Sequence, residues 1–114
     1  MGLLGNKQSK EYFLADTDLA IISVACIKTA EKVNDEQTLA RIGEVGQKIQ
    51  KRDKLTKSEA AILLACLMGY REQILTAIKE RPFDAPLMQS LNEQVSPLVE
   101  AVKKVNTYMA QAND

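Results

Sequence analysis

Cys26 and Cys66 are the only two thiols of this 114-residue chain, and there is no histidine to activate either of them. A nucleophilic thiolate needs an adjacent base, cation or metal. Both cysteines lie instead inside apolar runs, DLAIISVACI and EAAILLACLM. We read them as buried, reduced thiols of a cytoplasmic protein. Two neighbouring helices carrying them would also accept a disulfide, which spacing alone does not assign. Two cysteines without histidine do not make a metal site. The missing imidazole removes Ser-His and Cys-His nucleophile pairs, and also the Glu-x-x-His motif of di-iron bundles. The expectation is therefore no catalytic residue, no cofactor and no metal.

A second group is basic. In QKIQKRDKLTK (residues 47–57), Lys48, Lys51, Arg52, Lys54 and Lys57 surround a single acid, Asp53. Cations ahead of a helix N-terminus suit phosphate contacts, and helix, short turn, capped helix is the rhythm of a helix-turn-helix. The helix that would read bases nevertheless begins KSEAAILLACL, with few side chains able to reach base edges. A solvated loop whose cations favour the end of the preceding helix is the preferred reading. Nucleic-acid binding through residues 48–57 stays as the alternative. Gly43 and Gly46 in RIGEVGQK form a lone G-x-x-G without the strand or the Lys-Ser/Thr of a phosphate loop. Asp16/Asp18 and Asp35/Glu36 stand where helices begin, where the helix dipole favours acids.

Composition sets the frame for these residues. Lys+Arg and Asp+Glu balance at 15 each, so no overall charge draws the chain to nucleic acid or anionic lipid. With 4% aromatic residues and no Trp, the core must be built from aliphatic side chains, which suits helix packing. One domain is expected, with residues 1–15 as a flexible leader and 16–114 as the helical part. The start, MGLLGNKQSK, lacks the apolar core of a signal peptide, and Asn6 stands where a myristoylation pattern has Ser or Thr. No segment is expected to span a bilayer.

Apolar spacing predicts an all-α, four-helix bundle-like domain. The first helix runs from about Asp18 to Val33, capped by Asp16 or Thr17. The second runs from about Glu36 to Arg52 and is weakened by Gly43 and Gly46, which would permit a close backbone contact. The third follows a Thr56-x-x-Glu59 capping box and ends at about Glu80, before Pro82. The fourth starts near Asp84 with Pro86 in its first turn. Its stripe Leu87, Leu91, Val95, Leu98, Val102, Val105 and Met109, widened by Met88 and Val99, continues through a kink at Pro97.

Helix three is apolar on two sides. Leu63, Leu64, Leu67, Ile74, Leu75 and Ile78 form a broad face with Arg71 projecting onto it, either reaching water along the surface, the preferred reading, or pairing with Glu100 or Asp84. Ile62, Ala65, Cys66 and Gly69 form a second face of mostly small residues. The function read from these patterns is a non-catalytic protein-interaction module, a homodimer or a binder of a helical partner. Its interface residues would be Ile62, Ala65, Cys66 and Gly69, with Leu91, Val95, Leu98 and Val102 of the fourth helix. Enlarging Ala65 or Gly69 would then clash. A further alternative is a bundle holding an apolar ligand between loosely packed helices.

Overall fold

The computed structural model describes residues 12–112. Four helices follow in order: α1 (Asp16–Ala30), α2 (Glu36–Gln50), α3 (Lys57–Glu80) and α4 (Ala85–Gln111). Among the described residues there is no strand. α3 is the central helix and packs on all three others, α1 does the same, and α2 and α4 each pack on that pair but not on each other.

The helix starts are built from local side-chain caps. Thr56 accepts a bond from the Glu59 N–H at 3.1 Å, and the Glu59 carboxylate accepts from the Thr56 N–H at 2.8 Å. This is the reciprocal box read from the spacing. Asp35 caps α2 by accepting from the Thr38 N–H, and Asp84 caps α4 by accepting from the Leu87 N–H. Each supplies an acceptor to a first-turn N–H that has no helical partner. α4 runs through Pro97 as one helix, as the stripe predicts.

Three helix ends differ from expectation. α1 is capped at Ala15, not at Asp16 or Thr17, and it closes at Ala30, three residues before Val33. Its cap is made by Asp18, whose carboxylate accepts the Ala15 N–H at 2.8 Å and also holds Lys104 of α4. α2 stops at Gln50 because Arg52 takes a left-handed backbone (φ 58°). The Asp53 N–H then reaches the Lys48 carbonyl and the Arg52 N–H reaches that of Ile49. That is the Schellman closure, with an arginine where glycine is usual. Such a backbone is uncommon for a residue other than glycine, and the Arg52 side chain also pairs with Asp16 at 2.6 Å.

The core joins Ile22 and Ala25 of α1, Val45 and Ile49 of α2, Leu63, Leu67 and Ile74 of α3, and Leu98 and Val105 of α4. Leu14 also belongs to it, being 3% exposed. Tyr12, Phe13 and Leu14, placed by the sequence in the leader, are thus packed against the domain, and residues 1–11 lie outside the described residues. α3 departs from expectation in one more respect. It has 24 residues and a window of mean hydropathy 1.4, so by length and composition it could cross a membrane. The same apolarity serves packing here, since Ala60, Leu63, Cys66, Leu67, Tyr70 and Ile74 are buried against the other helices.

Candidate interaction surfaces

The small-residue side of α3 is largely occupied by α1. The Thr29 hydroxyl donates to the Cys66 carbonyl at 3.1 Å, and the Gln73 amide reaches the Lys28 carbonyl at 3.4 Å. A Cβ at Gly69 would sit 3.5 Å from the Thr29 hydroxyl oxygen, an ordinary contact. Cys66 is buried, Ile62 and Gly69 are half-buried, and Ala65 alone of the four is exposed. The expected contact of this side with a second molecule is therefore replaced at Cys66 and Gly69 by α1 of the same chain. The clash expected on enlarging Ala65 has no wall to meet.

Cys26 and Cys66 face each other across this α1–α3 seam as free thiols. A hydrogen bond to Cys66, together with burial, pushes the Cys26 thiol up. The same bond, received by Cys66, favours its thiolate and holds that thiol below its ordinary value. Among the described residues no cluster of three or more His, Cys, Asp or Glu side chains is placed to hold a metal ion.

The basic segment is partly consumed by the fold. Lys48 pairs with Glu59 at 2.7 Å, tying the end of α2 to the start of α3, and Arg52 pairs with Asp16. The Lys48 ammonium and the capping bond from Thr56 hold the Glu59 carboxyl below the usual carboxylate range. Lys51, Arg52, Lys54 and Lys57 stay exposed, so four of the five proposed phosphate contacts face solvent, Arg52 while paired with Asp16. Sequence reasoning missed the aromatic clamp on this loop. The Tyr108 hydroxyl donates to the Leu55 carbonyl and accepts from the Leu55 N–H, both at 2.9 Å. Phe13 stacks on Tyr108 with centroids 4.0 Å apart, and the Tyr12 hydroxyl donates to the Asp53 carbonyl at 2.7 Å. Burial, with Tyr108 and Asp53 nearby, pushes the Tyr12 phenol up to about 12.

Arg71 is exposed; Glu100 pairs with Lys103 and Asp84 caps α4, so neither expected partner meets it. Around Arg71 the α3–α4 hairpin carries an open apolar strip. Leu64, Met68, Arg71 and Leu75 recur on one side of α3 at steps of four, three and four, and Met88, Leu91, Val95, Val99 and Val102 recur on one side of α4. Met68 is 40% exposed, Leu75 42% and Val99 37%, while Leu64, Met88, Leu91, Val95 and Val102 are half-buried. The other side of α4 is taken up with α1, through Lys104 to Asp18 at 2.5 Å. The hydroxyl of Tyr70 on α3 bonds the Gln94 amide on α4, and this pairing sets the two helices level. Along antiparallel helices it puts Met68 beside Val95 to Val99 and Leu75 beside Met88 to Leu91. Of the expected fourth-helix interface, Leu91, Val95 and Val102 thus border this strip. Leu98 does not: it is 1% exposed and belongs to the chain's own core.

A second apolar feature is a groove of about 490 Å³ between α1 and α2. Gly43 and Gly46 line it, and a Cβ at either position would meet nothing within 4 Å. The close backbone contact expected of this pair is absent; the glycines open a space.

Compared with models of known families, curated proteins and solved structures, the chain matches none.

Proposed function

We propose that this protein is a non-catalytic helical interaction module that forms a homodimer through the outward side of the α3–α4 hairpin. One observation carries the reading: Met68, Leu75, Val95 and Val99 form an apolar strip along two adjacent long helices, interrupted on α3 by Arg71, and among the described residues no other helix is laid over it. Isolated surface apolar residues are ordinary, but a strip on paired helices marks an interaction surface. A second copy offers a complementary surface by symmetry, because an isologous pairing lays the same strip against itself. Two helices from each copy would form a four-helix contact of the kind that buries such stripes. Zero net charge leaves little repulsion between copies.

Light scattering behind size exclusion tests the reading across micromolar concentrations. The wild type is expected at twice the chain mass, and Val99→Glu at the chain mass with its helical content intact. Val24→Glu, at an exposed apolar position on α1, is expected to stay dimeric. A wild type that is monomeric at high micromolar concentration overturns the proposal.

A further inference from the structure

We infer that the groove between α1 and α2 binds a single-chain anionic amphiphile, a molecule with one carboxylate head and one hydrocarbon tail. The groove is polarised along its length. Ser23, Gln47, Gln50 and Lys51 line one end, where the Gln50 amide donates to the Ser23 hydroxyl at 3.1 Å. Towards the other end the walls are Ile27, Ala30, Leu39 and Ile42. From Ser23 to Ala30 the α1 wall rises roughly 10 Å.

Lys51 is the one charged residue lining the groove, and among the described residues it forms no ion pair; its neighbours Lys48 and Arg52 are already paired. A single cation at the polar end, with hydroxyl and amide groups beside it, complements one anionic head. The remaining wall offers apolar surface and the bare backbone of Gly43 and Gly46. Small-molecule sites are apolar pockets of about 300–1,000 Å³ with a few polar groups that fix orientation, and this groove has that size and that division. Ile27, 60% exposed at its margin, gains cover once a tail lies against it. A partner helix would present several polar groups along its length, where this groove offers polarity at one end alone.

The test is a titration of the full-length protein with dodecanoate below its micelle-forming concentration, followed in amide ¹H–¹⁵N correlation spectra. Dodecanol serves as the uncharged control. Saturable shifts are expected at Ile27, Gly43, Gly46 and Lys51. Gly46→Leu projects into the groove from a position where an added Cβ meets nothing within 4 Å, so it should fold and weaken dodecanoate binding by about tenfold or more. Gly43→Leu provides the same test from one turn away. Lys51→Glu should weaken dodecanoate about two- to fivefold, as an exposed pair allows, and leave dodecanol unchanged. Wild-type affinity in both leucine variants overturns the site. So do shifts confined to Met68, Leu75 and Val99, which mean adsorption to the hairpin strip. Groove shifts that depend on protein concentration without added amphiphile assign the groove to a second copy and also overturn it. Equal loss of dodecanoate and dodecanol in Lys51→Glu overturns the anionic head.

Discussion

Asp18 illustrates how a single residue can tie a helix start to a distant helix. It is 3% exposed, caps α1 through the Ala15 N–H, and meets Lys104 on α4. A buried carboxylate deprived of its cation keeps the desolvation cost and loses the compensation. Lys104→Met should therefore destabilise by about 1–3 kcal/mol in urea unfolding, towards the low end because Lys104 itself is half-exposed. The double variant Lys104→Met/Asp18→Asn should lose less than the two single losses added together. Tyr12 makes a second prediction at this scale. Its folded-state phenol is raised, so the neutral form is the one the fold prefers. That contribution is fully present below about pH 10 and is lost as pH rises towards about 12. Ultraviolet titration of wild type against Tyr12→Phe should remove a late-ionising phenol; an unchanged high-pH step would contradict the clamp. Neither contact was legible in the chain, since Lys104 lies 86 residues from Asp18 and Tyr12 lies 41 from Asp53. Periodicity reports neighbours on one helix, not pairs brought together by folding.

At the scale of the elements, what local chemistry decides was readable. Thr56-x-x-Glu59, Asp35 and Asp84 act within one turn of their own positions, so the starts of α2, α3 and α4 follow from spacing. Thr56→Ala should cost about 1 kcal/mol in thermal unfolding. The Glu59 carboxyl is held low by Lys48 and Thr56, so its stabilising effect is present above the ordinary glutamate range and fades as pH falls through its depressed folded value. Glu59→Gln should accordingly flatten the acid side of the stability profile. The start of α1 was misplaced because Asp18, read as the first helical residue, reaches back to cap Ala15, and α2 ends early on the left-handed backbone of Arg52, which apolar spacing does not report. The glycines of α2 were misjudged too. With open space beyond both, Gly43→Ala and Gly46→Ala should each raise stability by up to about 1 kcal/mol through helix propensity. Gly69→Ala on α3 should be tolerated as well, because Thr29 stands at ordinary contact distance. A gain there would not mean an open face, since α1 remains over it.

For the whole molecule, the stripes of Leu63, Leu67 and Ile74 and of Leu98 and Val105 carried the four-helix arrangement, because a side that must be buried needs another helix to bury it. What they did not carry was which apolar side stays open. The small side of α3 was expected to meet a second molecule, and that α1 takes Cys66 and Gly69 while Met68 and Leu75 stay bare is decided by how the helices stack. The most direct measurement of the proposed dimer is an isotope-filtered nuclear Overhauser experiment on a mixture of labelled and unlabelled protein. It detects only contacts between copies. Cross-peaks from the methyl groups of Met68, Leu75, Val95 and Val99 in one copy to those of the other are predicted, and Val99→Glu should abolish them. Intermolecular contacts confined to other surfaces, or none in a sample at millimolar concentration, would contradict the account.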